Sequence, residues 1–169
     1  MLSKKMVSLI SEQIKNEYES AYLYLEIADY FQSEGMCGFA SWYIIQAREE
    51  TGHAMIFYDY LHKNNERVLF YSLEPTRKSF NNHQKPLEDS LLHEEFITNC
   101  VNQIYDLAEK EKDYRTKKFL NWFISEQQEE EETAQNNLDK MKLYGGNPAG
   151  LYLLDKEMAK RCFENEKEE

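Results

Sequence analysis

The chain has 169 residues, 41% of them hydrophobic and 14% aromatic, enough to bury one sizeable core, and it is read as a single domain over residues 1–169. Its 31 acidic side chains against 20 Lys and Arg leave a net charge of −11, which disfavours nucleic acid and anionic membrane and suits cationic ligands. Cys37, Cys100 and Cys162 form no C-x-x-C pair, Met1 to Ile10 lacks the apolar core of a secretion signal, and no stretch reaches membrane-spanning length, so a reduced, cytoplasmic protein is expected.

Six glycines and three prolines leave long windows with apolar residues at helical spacing, which predicts an all-α fold. The first predicted helix runs from about Lys4 to Ser33, with Met6, Leu9, Ile10, Ile14, Ala21, Leu25 and Ala28 on its inner stripe and Gly35 beyond its end. The second, about Cys37 to Asn64, carries Phe39, Tyr43, Ala47, Ala54, Phe57 and Leu61, and the short turn before it makes the pair antiparallel. From Glu66 to Asn82 the periodicity fails and Pro75 interrupts. Extended, that segment reaches roughly 56 Å against roughly 40 Å for a neighbouring helix, so it is expected to cross from one end of a bundle to the other.

The third helix is expected from Pro86 to about Lys112, with Leu87, Leu91, Val101, Ile104 and Ala108 inward. After a break near Asp113 the fourth runs from about Thr116 to Leu143, buries Phe119, Phe123, Ala134, Leu138 and Met141, and stops at Gly145-Gly146-Asn147-Pro148. A four-helix bundle over about 4–143 follows. A short fifth helix, about Leu151 to Phe163, offers only Leu151, Leu154, Met158 and Cys162, too little to stand alone, and the acidic tail Glu164 to Glu169 is expected to fray.

Glutamates interrupt the apolar stripes near the middle of three helices, at Glu17, Glu50 and Glu94. His53 follows Glu50 by one helical turn, and Gln127 and Glu130 repeat that spacing on the fourth helix. A shift of 77 residues carries Glu17 to Glu94, Glu50 to Gln127 and His53 to Glu130, so the polar insertions recur in the second half. A lone glutamate on a stripe is ordinarily a boundary residue whose head reaches water. Four converging carboxylates are different, because lost hydration and mutual repulsion require protons or metal ions to relieve them. A carboxylate-rich set with one imidazole suits iron or manganese, and a Glu from each of two helices with i, i+3 pairs on the other two is the di-iron bundle pattern, from which Gln127 and Glu130 depart.

Asn16-Glu17-Tyr18, Glu49-Glu50-Thr51-Gly52-His53, His93-Glu94-Glu95, the run from Trp122 to Glu131, and Gly150-Leu151-Tyr152 resemble the helix signatures of bacterial non-haem ferritins over essentially the whole length. The resemblance implies a ferritin-like bundle in which Glu17, Glu50 and His53 hold one iron and Glu94 and Glu130 a second, with Glu50 bridging and Gln127 a nearby hydrogen-bonder. It further implies an accessory third iron at Glu49, Glu126 and Glu129 sharing Glu130, and Tyr24 beside the first iron as an electron donor. The activity implied is iron storage with ferroxidase chemistry, Fe(II) being oxidised by O2 or H2O2 inside a homo-oligomeric shell of twenty-four subunits.

From the residues alone, the acidic run at 126–132 also reads as a solvated face, Tyr24 as a core aromatic and Trp122 as packing. His62, His83 and His93 read as surface groups. Haem-binding relatives carry Met at the position of Thr51, so no haem is expected, and Gln128 stands where the family usually has His, facing away from the proposed irons. Two other readings are open: a di-iron peroxidase or oxygenase of the rubrerythrin kind, weakened by the lack of a cysteine-pair iron domain, and a non-enzymatic helical interaction module.

Overall fold

Ser3 begins the structure's first helix by accepting a hydrogen bond from the Met6 amide at 3.1 Å, satisfying one of the donors that a helix start leaves open. In the computed structural model, residues 1–74 and 78–163 are described, and they form five helices and no strand. These are α1 (Lys4–Ser33), α2 (Cys37–Lys63), α3 (Lys85–Glu111), α4 (Tyr114–Tyr144) and α5 (Pro148–Met158). The turn from α1 to α2 is made by Gly35 at φ +75°, where a residue without Cβ adopts the left-handed conformation freely. At the break between α3 and α4, Asp113 caps α4 through the amides of Arg115 and Thr116.

The segment between α2 and α3 follows α1 from one end towards the other. The Leu69 amide donates to Ser11, Tyr71 meets Ser8, the Glu74 amide donates to Glu19, and His83 pairs with Glu34. From Ser8 and Ser11 near the start of α1 to Glu19 and then Glu34 beyond its end, these partners carry the segment along α1, so it is the expected crossover and brings α3 back parallel to α2. The interruption expected at Pro75 and the tail from Glu164 lie outside the described residues.

Because α1 packs mainly on α2 and α3 on α4, two helix pairs close around a core. That core is two clusters. One is built around Tyr24, Phe31, Phe39, Tyr43, Leu138 and Met141, and the other around Ile10, Ile14, Phe57, Ile97, Val101 and Phe123. Aromatic faces join α2 to α4, with Phe57 stacked on Phe123 at 4.1 Å and Tyr60 on Phe119 at 3.8 Å between centroids.

Several expected positions differ. Leu25 is exposed, since it falls a step off the α1 stripe, and Leu9, Leu91 and Phe119 are only half-buried, while Leu120 is fully buried on α4. The fifth helix spans Pro148–Met158, starting earlier because Asn147 caps it by accepting from the Gly150 amide, and ending earlier, so that exposed Cys162 lies beyond it. It docks by burying Leu154 and Met158, and its Asp155 carboxylate accepts from the Gly38 and Phe39 amides at 2.7 and 3.0 Å, capping the start of α2.

Candidate metal centre

Glu17, Glu50, His53, Glu94, Gln127 and Glu130 are all buried, and they form a polar layer between the two apolar clusters. Each sits mid-helix on a stripe that must face inward for its apolar neighbours to be covered, so the carboxylates go inward with them. One ligand atom each from Glu17, Glu50 and His53 lies within 4.8 Å of the others, a group able to hold a metal ion. Glu94 and Glu130 stand outside that tight group but close enough to Glu50 for mutual repulsion to act on them.

Neighbouring polar groups hold these side chains in place. Gln13 donates to Glu17 at 2.8 Å and Gln46 to Glu50 at 2.9 Å, each from one turn earlier on the same helix. His53 Nδ1 lies 3.5 Å from Glu50, and its ring rests edge-on against Trp122 and Phe123. Tyr24 donates to Glu94, whose other oxygen is 3.3 Å from Gln127 Nε2. Glu17 keeps one buried oxygen, Oε2, with no hydrogen-bond partner, an acceptor that a cation would satisfy.

Burial, then repulsion from Glu50, pushes Glu17 up to about 8 against His53 and Gln13, and the same two causes push Glu130 to about 8 against Gln46, His53 and Arg161. Glu94 is raised well above the carboxylate range by burial and by Glu50 and Glu130. Burial also presses Glu50 upward, but the hydrogen bond and charge of His53 and the bond from Gln46 outweigh it, leaving Glu50 below its ordinary value. Burial and mutual repulsion therefore favour the protonated forms of Glu17, Glu94 and Glu130, while His53 and Gln46 favour the charged form of Glu50.

The accessory group divides. Glu49 is buried, Glu126 half-buried and Glu129 exposed, and with Glu130 they line a solvent-open pocket of about 320 Å³. Gln128 is exposed and donates to Glu132, and the Thr51 hydroxyl returns to the carbonyl of Ala47 on its own helix.

His93 corrects the reading of it as a surface group: it is half-buried, bonds Ser20 at 2.7 Å and meets the Tyr24 ring edge-on. His83 is half-buried too, beside Tyr30 and Glu34, whereas His62 is exposed. Arg161 escaped the sequence reading altogether. It falls inside the helix expected to reach Phe163 but off that helix's apolar stripe, and in the structure it lies past the end of α5, where its guanidinium reaches Gln46 and Glu49 on α2.

A bundle with a long crossover, parallel α2 and α3 and a carboxylate layer at mid-height defines the ferritin-like class, and residues 7–144 match the Ferritin-like domain family. The bacterial non-heme ferritin of Staphylococcus epidermidis is 37% identical over 163 residues, covering 96% of this chain and 98% of that protein. That of Staphylococcus aureus is 32% identical over 166 residues, covering 98% and 100%. The open pore ferritin of Archaeoglobus fulgidus superposes with a TM-score of 0.94 at 36% identity, covering 96% of this chain and all of that one. This chain belongs to the ferritin family.

Proposed function

We propose that the protein stores iron and oxidises Fe(II) at the polar layer, with Glu17, Glu50 and His53 holding one ion and Glu94 and Glu130 a second, Glu50 shared between them. The observation that carries this reading is the tight group of Glu17, Glu50 and His53, with two further buried carboxylates beside it. Entering cations replace protons on Glu17, Glu94 and Glu130, so the layer exchanges one form of neutralisation for another. Hard carboxylate oxygens favour Fe(III) over Fe(II), which makes iron oxidation downhill at this site. Two Fe(II) give up two electrons, which with two protons reduce O2 to H2O2, or reduce H2O2 to two waters.

Gln127 orients Glu94 through its amide, and Tyr24, already bonded to Glu94, is the electron donor of this reading. Glu49, Glu126 and Glu129 with Glu130 form the accessory third site. The domain takes in the whole chain, and the protein works in the cytoplasm. No helix of the described residues is long and apolar enough to cross a membrane. Self-assembly into a shell is supported by the apolar groove of about 330 Å³ between α1 and the crossover, lined by Ile14, Tyr18, Val68, Leu69 and Tyr71, which a second copy would cover.

The test is aerobic loading of purified apoprotein with excess Fe(II), followed by sizing and iron analysis. Iron far above two per chain on a large particle is the expected result. Two irons per chain on a small particle would replace storage with a di-iron peroxidase or oxygenase, and failure to bind two would leave an interaction module. In the same assay, Glu50→Ala is expected to lose both ions and His53→Ala only one.

A further inference from the structure

Beyond the end of α5, Arg161 turns back over α2. Its Nη1 donates to Gln46 Oε1 at 2.7 Å, its Nη2 donates to Glu49, and its guanidinium carbon lies 4.1 Å from the centre of the Trp42 ring. It thereby forms part of the wall of the pocket that Glu49, Glu126, Glu129 and Glu130 surround. The pocket thus already takes a cation, one that the chain itself carries. A planar guanidinium fits this role, bonding two acceptors while its face rests on an indole.

Gln46 gives this contact a reach beyond the pocket. Its carbonyl accepts from Arg161, and its amide donates to Glu50 Oε1 at 2.9 Å. One side chain therefore joins the accessory pocket to the carboxylate shared by the two ions of the polar layer.

We propose that Arg161 is a tethered competitor for the accessory pocket: its guanidinium neutralises Glu49 while the pocket lacks metal, and an ion binding Glu49 must first displace it. Displacement breaks the bond to Gln46 and lifts the Arg161 guanidinium from Trp42. Metal at the accessory pocket is then communicated to the segment following α5 on one side and, through Gln46, to Glu50 on the other. This inference rests on the reading of Glu49, Glu126, Glu129 and Glu130 as a third cation site.

Manganese(II), a hard ion that prefers oxygen ligands, is the probe. The full-length apoprotein is titrated anaerobically, free Mn²⁺ is counted by its paramagnetic resonance signal, and near-ultraviolet circular dichroism follows the surroundings of Trp42. The wild type should bind two ions and a weaker third, with a tryptophan dichroism change accompanying the third. Arg161→Gln should bind the third roughly tenfold more tightly, the scale of one partly exposed ion pair with its aromatic contact, and should show little of that change. Arg161→Lys, which keeps the charge but not the planar fork that bonds Gln46 and Glu49 together, should fall between the wild type and Arg161→Gln and serves as the charge-retaining control. Equal third-site affinity in the wild type and Arg161→Gln overturns the competitor while leaving the third site standing. Two ions and no third in both proteins removes the third site, and the inference with it.

Discussion

Tyr24 on α1 donates its hydroxyl to Glu94 on α3, so a carboxylate of the polar layer is fixed from across a helix interface as well as by Gln127 from α4. Glu94 is thereby oriented before any cation arrives, at no cost of ordering when one does. In Tyr24→Phe a buried acceptor loses its donor, and the apoprotein should lose about 1–3 kcal/mol of unfolding free energy. Iron per chain should stay unchanged while Fe(II) oxidation slows, since the ligands remain but one is less well held. Urea unfolding and stopped-flow oxidation check the two halves separately, and an unchanged unfolding free energy would show the hydrogen bond to be dispensable.

The raised carboxylates set how the apoprotein responds to pH. Glu17 and Glu130 titrate near 4.5 when free and near 8 in the fold. Between those values the folded chain holds more protons than the unfolded one, so stability is greatest below about 4.5 for these groups and declines as pH rises through about 8. Glu50 acts oppositely: its contribution is present above 4.5 and is lost as pH falls through its lower folded value. Thermal midpoints of apoprotein should fall from pH 5 to pH 9, and Glu17→Gln should flatten the slope. A midpoint that climbs across this window would contradict the assignment of protons to the layer.

At the other end of the bundle, Gly38 has no room for a side chain. A Cβ there would collide with the backbone carbonyl of Asp155, the residue whose carboxylate caps α2. Gly38→Ala should push α5 off α2 and lose the cap, costing about 1–3 kcal/mol despite the better helix propensity of alanine. Limited proteolysis should then cut near α5 faster than in the wild type, with two-metal binding intact because the polar layer lies farther down α2. Equal cleavage rates in the two proteins would mean that α5 is held by Leu154 and Met158 alone.

Much of this arrangement is legible in the amino-acid sequence. Glu17, Glu50 and Glu94 each interrupt a stripe whose apolar members must be covered, so only one direction is open to them. The 77-residue offset onto Gln127 and Glu130 extends the inference to the fourth helix. Leu25 and Phe119 lie at the edge of what periodicity specifies, because one step along a helix is a rotation of about 100° and turns an apolar residue off the buried face. His93 shows another: it lies off the stripe of its own helix, and what half-covers it is Ser20 and Tyr24 from a different one.

Local sequence determined the helices, their caps, the crossover and the inward set of carboxylates, since each follows from the period of the backbone and the cost of leaving apolar surface in water. Only the tertiary structure decided that Glu17, Glu50 and His53 close to within one ion's reach while Glu94 and Glu130 stand slightly apart, and that Arg161 returns to Glu49. Those relations join residues as many as 112 positions apart, and distances between separate helices depend on how whole surfaces pack, which no periodicity along one chain encodes.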